Sequence, residues 1–345
     1  MTDRKRPQHE PELRTETPRD RLLARPTRRY PASDHCDGEK FFNAEMPARD
    51  LGQVFTWLRT RRPSRWPAWE ENEAFAPPVA EQSTQIRDWR VTFINHATVL
   101  VQIGPWNLLT DPVWSERVSP FRTVGPRRVR PAGIALKDLP PIHVVLLSHN
   151  HYDHLDLATL KWLEKRDHPH VVTGLGVAPL LHANGIKHVT ELDWWQSVVH
   201  HELTIHFTPA QHFSGRGLRD RDMSLWGGLY VQTEAGGMFF AGDTGYSSHF
   251  RAIRERLGAP RLALLPIGAY EPRWFMGPVH MNPDDAVRAH IDLQAHASLG
   301  IHFNTFQLTD ESIGQPVIDL QLALAAHHTE PSRFWVLKEG EGRSA

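Results

Sequence analysis

The sequence predicts an α/β (α+β) fold, and three observations support this prediction. Short apolar runs separated by turn residues fill residues 91–112, a pattern typical of a β-meander. From residue 142 onward, apolar strand-like runs alternate with segments of helical length. Side chains that can bind a metal follow directly after several of these strands, so a functional site is expected where the strands end.

The N-terminal part of the chain divides into an arm and a helical segment. Residues 1–40 are rich in Arg, Pro, Glu and Thr, so we expect a disordered or extended basic arm, followed by one domain over residues 41–345. Apolar residues between positions 51 and 58 have helical spacing. The basic, tryptophan-bearing stretch 57–69 could lie on a membrane surface or pack against the domain edge.

Polar residues end two strands of the predicted meander. His96 and Asp111 each follow an apolar run and could orient metal ligands, although a structural hydrogen-bonding role fits them equally well. The following loop, residues 115–141, is rich in Pro and Arg. Its arginines could help to hold a phosphate, because guanidinium matches phosphate oxygens. They are Arg117, Arg122, Arg127, Arg128 and Arg130.

Residues 142–156 carry the most informative motif. The apolar run 142–147 predicts a buried strand. It leads into an H-x-H-x-D-H string formed by His149, His151, Asp153 and His154. If the strand pleat continues, the first two histidines point to the same side, and the last two ligands follow one turn later. Imidazole and carboxylate together favour Zn²⁺ or a similar first-row ion, and no folding requirement explains this polar string.

Three later strands end in further candidate ligands. His212 follows the strand near 203–210, Asp243 follows 238–241, and His302 follows 298–301. Helices are predicted between the strands at about residues 156–166, 178–184, 247–257, 282–294 and 316–327. His280 precedes the fourth of these helices, whose start is marked by Asn282 as N-cap and a proline at the next position.

These ligands together predict a site for two metal ions. Ligands at successive strand ends can converge on one rim of a sheet sandwich, and the carboxylate of Asp243 could bridge the two ions. The first ion would be held by His149, His151 and His212, and the second by Asp153, His154 and His302.

Composition excludes several classes of protein. The net charge is -1, with 39 basic and 40 acidic residues, which argues against a nucleic-acid partner. A single cysteine, Cys36, excludes an internal disulfide and is consistent with the cytoplasm. The charged N-terminus lacks the apolar core of a signal peptide, and no apolar run approaches the roughly 20 residues of a membrane span. We therefore expect a cytoplasmic protein that could contact the inner face of the membrane peripherally.

With these motifs the chain resembles the metallo-β-lactamase superfamily. The H-x-H-x-D-H string and the later His, Asp and His follow the superfamily order. Within it, the chain is most similar to the N-acyl-phosphatidylethanolamine-hydrolysing phospholipase D branch, over residues 50–340. The stretches that carry this similarity are 95–99, 109–112, 148–155, 191–195, 239–246 and 266–276.

The resemblance implies a four-layer αβ/βα sandwich of two mixed β-sheets flanked by helices. It implies two Zn²⁺ ions on the seven ligands, and hydrolysis of a phospholipid phosphodiester to N-acylethanolamine and phosphatidate by a hydroxide shared between them. Asp153 would help to orient the nucleophile, and His280 matches a further active-site histidine that could act as acid or position the phosphate. The expected partners are the phospholipid substrate, a membrane surface and a second copy of the chain in a homodimer.

Substrate contacts and the substrate itself are less closely constrained. Candidate contacts are Trp194, Trp195, Tyr270 and Phe275, with core packing as the alternative for the apolar ones. The chain departs from the branch at Asn95, after His212 and after His302, where residues that could line the pocket differ. A metal-dependent lactonase or phosphodiesterase with a small soluble substrate is therefore the main alternative. A lipid-binding scaffold that is not an enzyme is disfavoured by the complete ligand set.

Overall fold

The structure, a computed structural model, describes residues 30–43, 45, 51–75, 83–121, 123–217 and 219–345. The first of two seven-stranded sheets consists of β1 (Trp89–Asn95), β2 (Thr98–Ile103), β3 (Trp106–Thr110), β4 (Val144–Leu146), β5 (His170–Gly174), β6 (Val189–Leu192) and β14 (Gly342–Ser344). Its strand order is β14-β1-β2-β3-β4-β5-β6. Strands β1 to β3 form the predicted antiparallel meander, and β3 to β6 are parallel.

The second sheet has strand order β13-β12-β11-β10-β9-β8-β7 and is also mixed. Its strands are β7 (Ser197–His200), β8 (Leu203–Thr208), β9 (Gly228–Thr233), β10 (Gly236–Phe240), β11 (Leu262–Pro266), β12 (Ala297–Ile301) and β13 (Phe334–Trp335). The strands from β7 to β10 are antiparallel, and those from β10 to β13 are parallel.

Helices cover the outer faces of both sheets. The α-helices among the described residues are α1 (Leu51–Thr60), α2 (Leu157–Asp167), α3 (Ala178–Ala183), α4 (His249–Leu257), α5 (Arg273–Met276), α6 (Pro283–Leu293) and α7 (Gln315–Ala326). Short 3-10 helices occupy Leu136–Asp138 and Pro331–Arg333. Within the described ranges, no helix has the length and apolar content required to cross a bilayer.

Alternating side chains on the strands build two apolar layers around the first sheet. On β2, Val99 and Val101 enter the large core shared with the second sheet, whereas Leu100 points to the other side and packs with residues of α2 and α3. The large core also contains Phe250 of α4 and Val287 of α6. The order of layers is therefore helices, sheet, sheet, helices, and the four-layer sandwich of two mixed sheets is confirmed.

The strand directions bring the candidate ligands to one edge. The strands β1, β3 and β4 of the first sheet run the same way, as do β8, β10 and β12 of the second. Side chains just beyond their carboxyl ends therefore meet at one rim of the sandwich. The residues found there are His96, Asp111, His149, His212, Asp243 and His302.

Part of the predicted arm packs against the domain. Residues 30–40 were assigned to the arm from their composition, but Tyr30 and Cys36 are buried in the large core together with Phe41. Burial of these apolar side chains favours an ordered segment. The backbone N–H of Phe41 donates to the carbonyl of Asp222 (2.8 Å). Residues 1–29 of the predicted arm lie outside the described residues.

One contact of this segment predicts a pH-dependent stability. His35 contacts Asp193 (Nε2 to Oδ1, 2.7 Å) and Asp34 (Nδ1 to Oδ1, 2.6 Å). Burial alone would lower the pKa of His35, but the two carboxylates raise it above 6.5. Stabilisation from a raised histidine pKa is complete below the unfolded pKa and is lost as the pH rises through the folded pKa. It is worth at most about 1 kcal/mol, because Asp34 is exposed.

We expect the difference in Tm between the parent protein and a His35→Gln variant to be largest below pH 6.5 and to shrink above it. Thermal unfolding at several pH values measures this difference. Tyr30→Phe changes the same segment without touching the His35 ion pairs, so its Tm difference should not follow that pH profile. A His35→Gln difference that is constant with pH would contradict the prediction.

Candidate metal centre

The loop that follows β4 presents the H-x-H-x-D-H string to the rim of the sandwich. The Ser148 N–H and hydroxyl both donate to the buried carboxylate of Asp111, at 2.8 and 2.5 Å. The chain then makes one turn, in which the N–H groups of His154 and Leu155 donate to the carbonyl of His151. Asp156 caps the start of α2 by accepting from the N–H of Ala158. A strand end, a turn and a capped helix thus position the string.

The ligand candidates form two groups. In the first group, Nδ1 of His151 lies 2.7 Å from Nε2 of His149 and 3.2 Å from Nε2 of His212. In the second group, Oδ2 of Asp153 lies 3.3 Å from Nε2 of His302 and 3.4 Å from Nε2 of His154. The ligand atoms within each group lie within 4.8 Å of one another.

Asp243 lies between the two groups. Its Oδ2 is 3.1 Å from Nε2 of His154 and 3.8 Å from Nε2 of His212, and its Oδ1 is 3.2 Å from Nε2 of His302. The carboxylate therefore faces both groups, the position that sequence reasoning predicted for a bridging ligand. The structure brings together all seven residues that the sequence singled out.

His280 lies beside Asp243, with its Nδ1 3.9 Å from Oδ2. Its ring is 5.1 Å from that of His212 and 5.6 Å from that of His302. The N–H of His280 donates to the carbonyl of Met276, which ties this residue to helix α5. His280 is thus next to the two ligand groups, and with His212 and Asp243 it forms a further set of atoms close enough together to hold an ion.

The donor atoms fit divalent first-row metal ions. Buried polar atoms normally have hydrogen-bond partners, but Nε2 of His154, Oδ1 of Asp243 and Nδ1 of His280 have none. The first two are close to charged atoms of the cluster, although not with the angles of hydrogen bonds. Buried imidazole nitrogens and carboxylate oxygens that converge on one place are the donors that Zn²⁺ and similar ions require.

The electrostatics of the buried cluster also favour cations. Burial alone would raise the pKa of Asp243, yet His154 and His302 hold it well below its usual range. Burial would lower the pKa of His154, but the carboxylates of Asp243, Asp153 and Asp111 raise it well above the usual value. Burial lowers the pKa of His149 and His212 well below the usual value, so these imidazoles are neutral, the form in which imidazole can bind a metal.

The backbone is strained at several residues of this rim. His96, Asp111 and His302 have φ angles of 45°, 29° and 62°, a left-handed conformation that side chains other than glycine rarely adopt. Such strain concentrates at functional sites, where the surrounding structure enforces it. The His302 N–H donates to the carbonyl of His96 (2.7 Å), so this hydrogen bond joins two of the strained residues.

Asp111 and His96 contact candidate ligands. Oδ2 of Asp111 accepts from Nδ1 of His154 (2.5 Å), which leaves Nε2 of that histidine facing Asp243. Nε2 of His96 lies 3.2 Å from Oδ2 of Asp153. Both residues therefore contact a candidate ligand, and Asp111 also makes structural hydrogen bonds with Ser148.

We expect Asp111→Asn to weaken metal affinity about 10- to 100-fold, the usual cost of losing a partner that orients a ligand. The amide nitrogen cannot accept the His154 proton, so the orientation of this imidazole is no longer enforced. Competition with a chromogenic chelator measures the affinity. Asp156→Asn is the matched control, because Asp156 is also buried and accepts backbone N–H groups of Trp114 and Ser115. Equal affinity in both variants would contradict the orienting role.

Arg216 connects the loop that carries His212 to the H-x-H-x-D-H loop. Its Nη1 donates to the carbonyls of Asn150 (2.7 Å) and Leu155 (2.9 Å), and its guanidinium lies 3.9 Å from the centre of the Tyr152 ring. Burial lowers its pKa to about 9, and the charge of Asp220 opposes that shift. Sequence reasoning missed Arg216, because its partners are backbone carbonyls about 60 residues away.

Residues 106–303 match the β-lactamase superfamily domain, more than half of the chain. The chain belongs to the β-lactamase superfamily.

Two of three relatives with similar sequences carry the name of the superfamily branch that the motifs indicated. A protein of Mycobacterium tuberculosis described as uncharacterised is 40% identical over 243 residues, 69% of this chain and 64% of that protein. N-acyl-phosphatidylethanolamine-hydrolysing phospholipase D 1 of Caenorhabditis elegans is 41% identical over 229 residues, 63% of this chain and 64% of that protein. The mitochondrial enzyme of the same name from Saccharomyces cerevisiae is 35% identical over 264 residues, 73% of this chain and 53% of that protein. The chain thus spans less than two thirds of each relative.

Solved structures support the fold. The metallo-hydrolase Igni18 from Ignicoccus hospitalis superposes with a TM-score of 0.57 at 21% identity, covering 75% of this chain and 98% of Igni18. An isothiocyanate hydrolase from Delia radicum gut bacteria superposes with a TM-score of 0.59 at 21% identity, covering 74% of this chain and 100% of that protein. At this identity the likeness extends to the sandwich and not to the substrate.

The arginines of the loop 115–141 in this superfamily member are engaged elsewhere. Arg128 donates to the carbonyls of Ser115 and Val113, and Arg130 pairs with Glu70 and Glu339. Arg117 donates to the carbonyl of Gly125, and Arg127 pairs with Glu116. Arg122 lies outside the described residues.

A different arginine lies close to the ligands. The guanidinium of Arg221 is 4.8 Å from the centre of the Phe213 ring, which in turn packs on His151 and His212 at 4.6 and 4.7 Å. Burial lowers the pKa of His151 to about 4, and the charge of Arg221 contributes to that shift. Phe213 immediately follows the predicted ligand His212, so its position near the site could be inferred from the sequence. Nothing in the sequence indicated Arg221.

The four predicted substrate contacts make other interactions. Trp194 stacks on His35 (4.4 Å), and Arg256 covers Trp195 (4.1 Å). The Tyr270 hydroxyl donates to Asp319 (2.5 Å), and the buried Phe275 stacks on Trp57 of α1 (5.0 Å). Their contact with substrate therefore stays a prediction.

Proposed function

We propose that this chain is a two-zinc hydrolase that cleaves N-acyl-phosphatidylethanolamine to N-acylethanolamine and phosphatidate. The observation that carries the proposal is the buried pair of ligand groups on either side of Asp243. The 41% identity to the nematode N-acyl-phosphatidylethanolamine-hydrolysing phospholipase D supports the choice of substrate. Because the chain covers 64% of that relative, the activity is proposed for this chain rather than transferred from it.

Seven residues would hold the two metal ions. His149, His151 and His212 would hold one Zn²⁺, and Asp153, His154 and His302 the other, with Asp243 shared. When bound, such ions lower the pKa of water toward about 7 and stabilise charge on phosphoryl oxygens.

His280 and Arg221 would act on the substrate directly. The unpartnered Nδ1 of His280 is next to Asp243. Burial lowers the pKa of His280 to about 3, so its neutral ring is suited to a hydrogen bond to the phosphate, and donation of a proton to the leaving oxygen is the second role. Arg221, which lies over the Phe213 ring beside His212 and also pairs with Asp222 (Nε to Oδ2, 3.3 Å), can offset phosphate charge. Asp153, which contacts three histidines, would also orient the attacking water.

An exposed apolar surface supports contact with a membrane. Phe55 and Leu58 of α1 are 67% and 56% exposed, and Trp274 of α5 is 52% exposed. The Trp57–Phe275 stack joins the two helices, and the Trp274 and Phe275 rings are 5.4 Å apart. Helix α5 also accepts the His280 N–H, so the apolar surface adjoins the metal centre. Exposed Arg59 and Arg62 can attract anionic lipid.

We expect the double variant Phe55→Ser and Leu58→Ser to lose most of its binding to anionic vesicles, because it removes two of the three exposed apolar side chains of this surface. Co-sedimentation with vesicles measures binding. The matched control is Ile318→Ser and Leu322→Ser on α7, which are 52% and 66% exposed. Equal binding of both double variants would contradict this membrane surface, and absence of binding by the parent protein would contradict membrane contact altogether.

Mass spectrometry of products tests the proposed activity. Purified protein is incubated with N-acyl-phosphatidylethanolamine in detergent, with and without chelator. Chelator-sensitive release of N-acylethanolamine and phosphatidate is the expected result and locates the cleaved bond. Intact lipid after incubation with protein shown to contain two metals would refute this substrate. It would favour the alternative, a soluble phosphodiester or a lactone, while leaving the ligand assignment in place.

A further inference from the structure

A second group of histidines surrounds Trp106 at the opposite end of the sheets. Trp106 contacts the rings of His143 (5.3 Å), His200 (5.5 Å) and His201 (4.4 Å). His170 lies beside His200 (5.3 Å) and stacks on His188 (4.1 Å). None of these five histidines belongs to the ligand groups of the metal centre.

Strand topology explains both the cluster and its separation from the metal centre. His143 precedes β4, His170 begins β5, and His188 precedes β6, so all three lie at the amino ends of parallel strands. The metal ligands follow the carboxyl ends. Six residues of extended chain, at a rise of about 3.3 Å each, place His143 and His149 roughly 20 Å apart. His200, at the end of β7, comes from the second sheet.

Two of these imidazoles face each other at a distance suited to a metal ion. Nδ1 of His170 lies 3.3 Å from Nδ1 of His200. Two nitrogens bound tetrahedrally to Zn²⁺ at about 2.0–2.1 Å are about 3.3 Å apart. The corresponding nitrogens of His151 and His212 in the metal centre are 3.2 Å apart. Nε2 of His170 is within 2.8 Å of the Thr190 hydroxyl, which orients this ring.

The chemical state of the pair is also suitable. His170 is only 4% exposed, and burial lowers its pKa to about 4. Burial likewise lowers the pKa of His200. Both rings are therefore neutral at physiological pH, the form in which imidazole binds metals. The exposed His188, stacked on His170, can turn to supply a third nitrogen.

We infer that His170 and His200, assisted by His188, bind one borderline divalent ion such as Zn²⁺ and link the two sheets. Imidazole ligands favour Zn²⁺, Ni²⁺ and Cu²⁺ over Mg²⁺ and Ca²⁺. Because His188 has to leave its stacked position, binding is weaker than at the metal centre. This second site is independent of the substrate of the metal centre.

Equilibrium dialysis of the zinc-loaded protein against added Zn²⁺, with metal counted by mass spectrometry, tests the inference. We expect one ion beyond those of the metal centre, and a rise in Tm as that ion binds. His200→Asn should lose the additional ion and the rise in Tm, with unchanged turnover. Asn can replace the hydrogen bond of Nδ1 but is a poor zinc ligand, so the variant is conservative. His182→Asn, an exposed histidine on α3, is the matched control and should retain the ion.

A second variant tests the site even if His200→Asn misfolds. His188→Asn changes an exposed side chain, so it should fold and should weaken binding of the additional ion at least several-fold. If no additional ion binds, or if it stays in both His200→Asn and His188→Asn, the site does not exist and the signal reports an adventitious ion only.

Discussion

Asp243→Asn is expected to lower both the metal content and the turnover of the protein. Asp243 is the residue that faces both ligand groups, and an amide supplies only one oxygen donor and no charge. The buried His154 and His302 would also lose one of the two carboxylates that contact them both, the other being that of Asp153. We expect turnover to fall at least about 10³-fold, because metal-assisted charge stabilisation supplies several kcal/mol and each 1.4 kcal/mol is about tenfold.

Metal analysis of the purified variant and the rate of product release measure these two effects. The matched control is Asp292→Asn, which removes a carboxylate that binds Tyr246 and Arg251 away from the ligand groups. The control should retain metals and rate. Full activity of Asp243→Asn with a normal metal content would refute the two-metal scheme.

His280→Ala is expected to separate chemistry from metal binding. His280 lies beside the ligand groups, and although it could form a set with His212 and Asp243, the other seven residues supply both groups without it. We therefore expect metal content to be unchanged and turnover to fall about 100- to 10,000-fold, the usual contribution of a positioned acid or base.

The pH profile of the residual rate distinguishes a catalytic from a structural effect. Loss of the group that protonates the leaving oxygen should change the shape of the profile, whereas general destabilisation should lower the rate evenly. His290→Ala is the matched control, because His290 is buried and bonds to the Ser298 hydroxyl in the same domain. Unchanged kinetics of His280→Ala would assign His280 a structural role.

The ligands were predictable because each follows a recognisable strand. Apolar runs of strand length that end in His or Asp occur at positions 142–149, 238–243 and 298–302, and local sequence shows this pattern without any knowledge of packing. The four-layer sandwich and the superfamily were predicted from the resemblance to known proteins. The arm boundary was less predictable, because burial of Tyr30 and Cys36 depends on the distant residues they contact.

Residues that act through distant contacts were decided only by the tertiary structure. Arg216 donates to backbone carbonyls, and Arg221 packs on Phe213, which in turn packs on His151. Neither contact produces a recognisable pattern in the local sequence. The loop arginines looked suited to phosphate from the sequence, but they pair within the protein, as Arg221 does with Asp222.

The sequence by itself determined which residues can bind metal and which strands carry them, because period and spacing are local properties. The tertiary structure decided which of the remaining polar residues meet those ligands. That outcome depends on how two sheets pack, and side chains from segments far apart in the chain meet only after both sheets have formed. The same packing brought His170 of one sheet beside His200 of the other.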